Sequence, residues 1–382
     1  MIGCADMADG GTAATNGATL KKTLRPVLIA SERNARDDTT FLRRLLVGLA
    51  DESVPVGLVC PPGCDVDSVV PVPVEISTYP LVDLPLIKRL GLEQLETQLE
   101  RFKPTLLHCL CESRAGLARR LARRLDVPYV LALNSRADRL RTLSISPRHC
   151  MKVVVPSETL RADATRVHFR FADRIRQIRV GTFVRSDALC FSDPARLPSL
   201  VVAHPLDTVA DFTNLLAAVK TLLGEGREFM MVLMGRGRAE HRLWRLLEQE
   251  GLSEAVTIVP TLNPWRSVLA AGDIFVQPQP TRRFSMFLLE AMSVGTAVAA
   301  CRGGVDDLIV PDETALVFEA NHEASICQTL AQLLDDHESA RRLASRAQQY
   351  VQAHHSVSDM VSAILDTYLR AQQRYARQAV PA

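Results

Sequence analysis

Residues 282 to 295 read RRFSMFLLEAMSVG, an almost wholly apolar run with one carboxylate, Glu290, inside it and two cations, Arg282 and Arg283, at its entrance. Burying a bare carboxylate costs several kcal/mol or so unless something hydrogen-bonds it. Two partners meet that need: a ligand with vicinal hydroxyls, or a neighbouring arginine. Ser285 is a good N-cap, so the run predicts a helix that starts at Met286, places Glu290 on its second turn facing an open cleft and turns Phe287, Leu288 and Met292 inward. The amides of Phe284 and Ser285, at the helix start, then suit an anion, because unsatisfied N–H groups and the macrodipole both favour negative charge. Arginine suits phosphate as well, through a fork that donates two parallel hydrogen bonds.

These residues need strands and helices to hold them. From Arg25 onward, short β-branched apolar runs alternate with longer helical patterns, the signature of mostly parallel sheets with helices on their faces. RPVLIAS, VPVGLVC, TLLHCLC, PYVLAL and MKVVVPS read as strands of a first half; SLVVAH, FMMVLMG, VTIVP, DIFVQP and AVAAC read as strands of a second. Between them, a weakly periodic stretch carries Gly181, Pro194 and Pro198 and reads as a linker. In open parallel sheets ligands sit beyond the carboxyl ends of the strands, so two such domains are expected to face a cleft with the useful residues just after the strands.

A fold and a family follow from several spacings that agree at once. The stretch DIFVQPQPTRRFSMFLLEAMSVGTAVAACRGGVDDLIVPDETALVF runs strand, polar turn, buried helix, glycine, strand, Gly-Gly. It resembles the donor-binding half of the retaining GT-B glycosyltransferases, the glycosyl transferases group 1. Upstream, MMVLMGRGRAEHRLWRLLEQEGLSEAVTIVP is similar to the same family's strand, Gly-x-Gly turn and helix, with Gly235, Arg236 and Gly237 in the turn. HHSVSDMVSAILDTYLRAQ is similar to its terminal helix.

The resemblance implies an α/β protein with the GT-B fold, two Rossmann-like domains facing a cleft. The expected division is a disordered tail over 1–24, an acceptor-side domain over 25–190, a nucleotide-sugar-binding domain over 199–355, and a terminal helix over 356–378 that crosses back to the first domain. It also implies transfer of a sugar from a nucleoside diphosphate donor, UDP- or GDP-linked, with retention of configuration. The acceptor is left open among a glycan, a lipid-linked molecule and a small molecule, and no separate cofactor is expected. By the resemblance, Glu290 grips the ribose hydroxyls as the second acid of a Glu-x7-Glu pair.

Several polar positions depart from the family's pattern. The first acid of the pair falls on Arg282; an Arg and a Lys that neutralise the leaving diphosphate fall on His204 and about Ala210; a histidine after PYVLAL falls on Asn134; and a glycine-rich loop is replaced by SERNARDD. Two readings stay open. In one the site is re-wired, with Arg282, Arg283 and His204, helped by Arg236, supplying the charge that such displacements need. In the other the chain is an inactive GT-B scaffold that binds a ligand or a protein.

Composition bounds the rest. Forty-five basic against 43 acidic side chains leave a formal net charge of +2, so no chain-wide field points to nucleic acid. Nine cysteines without a CxxC pair read as a reduced, cytoplasmic chain, with Cys109 and Cys111 as small hydrophobes of a strand. No metal cluster is expected, and His354 and His355 read as surface residues. His108 ends a strand and reads as a satisfied core histidine or a substrate contact. The run RAGLARRLARRLD, 114–126, sets Arg119, Arg120, Arg123 and Arg124 opposite Leu117, Leu121 and Leu125. It reads as a solvated basic face or as peripheral contact with anionic headgroups on the inner face of a membrane.

Overall fold

A computed structural model describes residues 24–36, 38–64, 72–80, 85–136, 143, 145–186, 190–261 and 265–379. The predicted tail, apart from Leu24, lies outside the described residues. The chain divides into two compact units, Met1–Gly181 with Val357–Ala382, and Thr182–Ser356.

In the first unit seven parallel strands are β1 (Pro26–Ile29), β2 (Gly57–Cys60), β3 (Glu75–Thr78), β4 (Leu106–Cys109), β5 (Tyr129–Ala132), β6 (Cys150–Val155) and β7 (Ile175–Gln177), in the order β3-β2-β1-β4-β5-β6-β7. The interior strands β1, β2, β4 and β5 are buried along their whole length, as sheets covered on both faces require. The last helix, Val357–Ala379, packs on this unit and lays Met360, Val361, Ile364, Leu365, Tyr368 and Ala371 against it at helical spacing. It comes so close to the helix Thr39–Asp51 that a Cβ on Gly48 would meet Val361 Cγ2 at 2.4 Å.

In the second unit six parallel strands are β8 (Ser199–Ala203), β9 (Met230–Met234), β10 (Val256–Val259), β11 (Ile274–Gln277), β12 (Ala297–Cys301) and β13 (Leu316–Phe318), in the order β10-β9-β8-β11-β12-β13. Its core joins Leu200, Val202 and Val276 of the sheet to Phe212, Leu216 and Leu330 of the flanking helices. Asp273, 1% exposed at the start of β11, anchors the segment entering the sheet: it accepts from the amides of Phe191 at 2.6 Å and Ser199 at 2.9 Å and pairs with Arg196 at 2.6 Å.

The strand order reverses between β1 and β4 in one unit and between β8 and β11 in the other. Each sheet therefore has one switch point, where its strand ends can open a crevice for a ligand.

Candidate functional site

At the second unit's switch point, β8 runs out into His204, β9 into Gly235-Arg236-Gly237, β11 into 278–285 and β12 into Arg302-Gly303-Gly304. Backbone hydrogen bonds lock these turns together: His204 N donates to Met234 O at 3.2 Å, Leu206 N to Arg236 O at 3.1 Å and Val305 N to Thr281 O at 2.7 Å. A Cβ on Gly235 would stand 2.2 Å from His204 O, one on Gly237 2.2 Å from Leu206 O, and one on Gly304 2.1 Å from Thr281 O. Only glycine permits that approach. The Gly235 amide is itself spent on Val259 O at 3.0 Å. Gly235 and Gly237, expected as donor contacts, bring one turn against the next, while the Arg236 side chain is exposed.

His204 is half-buried on the face of this floor, edge-on to Phe212 with ring centroids 5.7 Å apart and its Nε2 3.9 Å from Asp211 Oδ2. Burial holds the imidazole below its ordinary 6.5, against the opposite pull of Asp211 and Asp207. Burial thus favours the neutral, hydrogen-bonding form of the His204 ring.

The helix Met286–Val294 begins where predicted, with the Ser285 hydroxyl accepting from Leu288 N at 3.2 Å, and ends at Gly295 in the left-handed region. Ahead of it, Arg282 is exposed and Arg283 half-buried, and the Thr281 hydroxyl donates to Arg283 O at 2.9 Å, which fixes the turn that carries both guanidiniums. Phe284 is stacked on His355, with ring centroids 6.1 Å apart. His355 is 4% exposed and its carbonyl accepts from Thr182 N at 2.7 Å, so it is a buried support of the turn and not the surface residue expected. Its neighbour His354 is exposed.

Glu290 is fully buried, and its Oε2 accepts from Arg266 Nη1. Arg266, on the helix Trp265–Ala271, also donates to Thr182 Oγ1 at 3.2 Å and to the Phe183 carbonyl. Leu288 and Met292 are buried beside it, while Phe287 meets Trp265 edge-on at 4.7 Å. Of the two partners open to Glu290, the structure supplies the arginine: a guanidinium that ties the helix to the start of the unit. The ribose-gripping role implied for Glu290 requires an exposed carboxylate, and here none of the residue reaches solvent.

Three residues that residue types alone did not single out belong to this surface. Arg266 and His355 are two. The third is Gln277, 4% exposed at the end of β11, whose Oε1 has no hydrogen-bond partner among the described residues. A polar residue closing an apolar strand ahead of two prolines was the one signal for Gln277.

In the first unit, Asn134 donates to Leu110 O at 2.8 Å and its amide to Glu112 Oε2 at 3.3 Å; the Ser135 hydroxyl also reaches Glu112, a buried acid that sequence reasoning missed. His108 is 2% exposed, with Nδ1 2.7 Å from the Tyr368 hydroxyl. Cys109 and Cys111 are buried free thiols. On the helix Ala115–Leu125, Ala118, Leu121 and Ala122 pack inward, and two of the four arginines are partly neutralised: Arg120 and Arg124 lie 3.1 and 3.5 Å from Glu96. Among the described residues no group of three metal-ligating side chains occurs, and no helix is long and apolar enough to cross a membrane.

Comparison with known proteins places this geometry. Residues 195–350 match the family Glycosyl transferases group 1. Alpha-D-kanosaminyltransferase of Streptomyces kanamyceticus is 28% identical over 144 residues, 37% of this chain and 37% of that protein. D-inositol 3-phosphate glycosyltransferase of Nocardia farcinica is 30% identical over 132 residues, 34% of this chain and 29% of that protein. The chain thus spans about a third of the length of these relatives. Among solved structures, HepE of Anabaena in complex with UDP and glucose superposes with a TM-score of 0.75 at 15% identity, covering 90% of this chain and 99% of that one. Sucrose-phosphate synthase of Thermosynechococcus elongatus gives a TM-score of 0.75 at 18% identity over 93% and 100%. With two parallel-sheet units of this order, the chain has the GT-B fold, and its residues 195–350 match the glycosyl transferases group 1 family.

Proposed function

We propose that the chain transfers a sugar from a nucleoside diphosphate donor, UDP- or GDP-linked, to a hydroxyl of a glycan, lipid-linked or small-molecule acceptor, with retention of configuration. The observation that carries this reading is the capped helix Met286–Val294 at the β8/β11 switch point, with two arginines in the fixed turn before it. A helix start there offers amides and a positive dipole end to a diphosphate. HepE, a structural neighbour, binds UDP.

In this scheme the donor's phosphates lie at the Phe284 and Ser285 amides, and Arg282 and Arg283 neutralise the charge that grows as the bond between the sugar carbon and the phosphate oxygen breaks. The acceptor hydroxyl forms the new bond on the face the leaving group vacates, and its proton passes to the departing phosphate. Arg236 adds charge at the rim. His204 contributes a hydrogen bond. Glu290 acts through Arg266, which it holds in place.

The test is thermal stability with UDP and GDP, followed by release of either nucleotide from its sugars. The matching nucleotide at a hundred times its dissociation constant adds about 2.7 kcal/mol of stability. Arg282→Ala and Arg283→Ala each lower turnover by about a hundredfold. Absence of a shift with any nucleotide sinks the reading, and a gain of activity in Arg282→Glu sinks the charge assignment.

A further inference from the structure

On the helix Glu240–Glu250 of the second unit, Leu243 and Leu247 join the core, which leaves the opposite face to solvent. That outer face carries Arg242 and Arg245, three positions apart and both exposed, with Trp244 beside them at 39% exposure. Arg238, also exposed, stands in the turn just ahead. Among the described residues Arg242 and Arg245 make no ion pair, and Arg238 Nε donates to the Asp207 carbonyl at 3.3 Å, which leaves its charge unmatched. Glu248 is exposed one turn further on and offsets only part of this charge, while Glu250 is taken by Lys220 at 2.8 Å.

The macrodipole already makes a helix N-terminus positive, so cations are disfavoured there. Arg238 and Arg242 nevertheless crowd that end, and the cap residue Ala239 has no side chain to meet the free amides. An anion outside the protein relieves both. The arginines of the helix Ala115–Leu125 differ: Glu96 lies 3.1 Å from Arg120 and 3.5 Å from Arg124, and that helix holds no aromatic residue. Trp244 distinguishes between anions. Arginines alone suffice for a soluble polyanion, whereas an exposed indole, with an apolar body and a polar N–H, matches the headgroup level of a bilayer. We infer that the helix Glu240–Glu250 seats the second unit on a bilayer bearing anionic phospholipid, with Arg238, Arg242 and Arg245 on the headgroup phosphates and the Trp244 indole among the headgroups. The inference depends neither on nucleotide nor on transfer.

Cosedimentation of the full chain with phosphatidylcholine vesicles, plain or carrying about 30% phosphatidylserine, tests it. Each arginine near an acidic surface is worth about fivefold in binding, so the native chain prefers the acidic vesicles by at least about tenfold, and salt near 1 M removes the preference. Replacing both Arg242→Gln and Arg245→Gln weakens binding about twenty-fivefold. Arg120→Gln with Arg124→Gln changes it less than about twofold. Fluorescence supplies a second readout, because the chain has two tryptophans and Trp265 is 1% exposed: emission from Trp244 shifts to the blue on acidic vesicles and is quenched by brominated lipid. Trp244→Phe abolishes both signals and weakens binding. Equal binding to the two vesicles, or none, overturns the inference. So does binding lost in the Arg120 and Arg124 variant but kept in the Arg242 and Arg245 one, binding that leaves Trp244 emission unmoved, or capture of heparin without capture of vesicles.

Discussion

At the scale of single residues, Glu290 sets the terms for the second unit. A carboxylate with no exposed surface persists because Arg266 meets it, and Arg266 is itself held by Thr182 and the Phe183 carbonyl. Removing one partner of a buried pair strands the other. Arg266→Ala is therefore expected to cost about 3–5 kcal/mol in urea unfolding, more than the double variant Arg266→Met with Glu290→Met, in which no charge is left behind. Equal losses in the two would mean that the pair is no pair energetically. UDP affinity separates the roles further. Glu290→Gln keeps a hydrogen bond to Arg266, so it leaves nucleotide affinity within about threefold if the residue acts through the arginine, and a loss of a hundredfold would return Glu290 to the ribose.

Among elements, the turns after β8, β9, β11 and β12 form the floor of the site, and glycine sets their spacing. Gly237→Ala forces a Cβ to 2.2 Å from the Leu206 carbonyl, a backbone atom that cannot rotate away. Overpacking of this kind costs about 1–3 kcal/mol, and it also moves the His204–Leu206 turn. Nucleotide affinity and melting temperature should fall together in Gly237→Ala, whereas Gly226→Ala, with nothing within 4 Å of its Cβ, alters stability through its positive φ and leaves affinity alone. Unchanged affinity in Gly237→Ala would detach the turn from the site. Ser285→Ala removes one side-chain cap and is expected to cost about 1 kcal/mol.

For the whole molecule, the helix Val357–Ala379 belongs to the first unit although the second lies between them in sequence, and His108–Tyr368 is one of its fastenings. His108 titrates near 6.5 in an ordinary setting and near 3 here, so on acidification the unfolded chain takes up the proton first. Stability then falls as pH drops from about 6.5 toward about 3, by up to about 1.4 kcal/mol per pH unit from this group. Melting temperature followed from pH 7 to pH 5 should decline more steeply in the native chain than in His108→Leu. Parallel declines would show that the ring escapes burial.

Local chemistry was legible along the chain. All ten strand runs read from apolar pattern are strands, the helix at Met286 starts at its serine, and the Gly-x-Gly turn sits between a strand and a helix, because each depends on residues a few positions apart. The strands β3, β7 and β13 escaped notice: all three are sheet edges of three or four residues, and an edge strand does not need the continuous apolar run that betrays an interior one. Sequence by itself determined the fold, the family likeness and the presence of an acid among apolar neighbours. Only the tertiary structure decided what that acid touches, that His204 is half-buried beside Asp211, that His355 is buried under Phe284 and that His108 is buried against Tyr368. Those outcomes depend on side chains brought together from distant parts of the chain and on the water their packing excludes, and no local spacing records either.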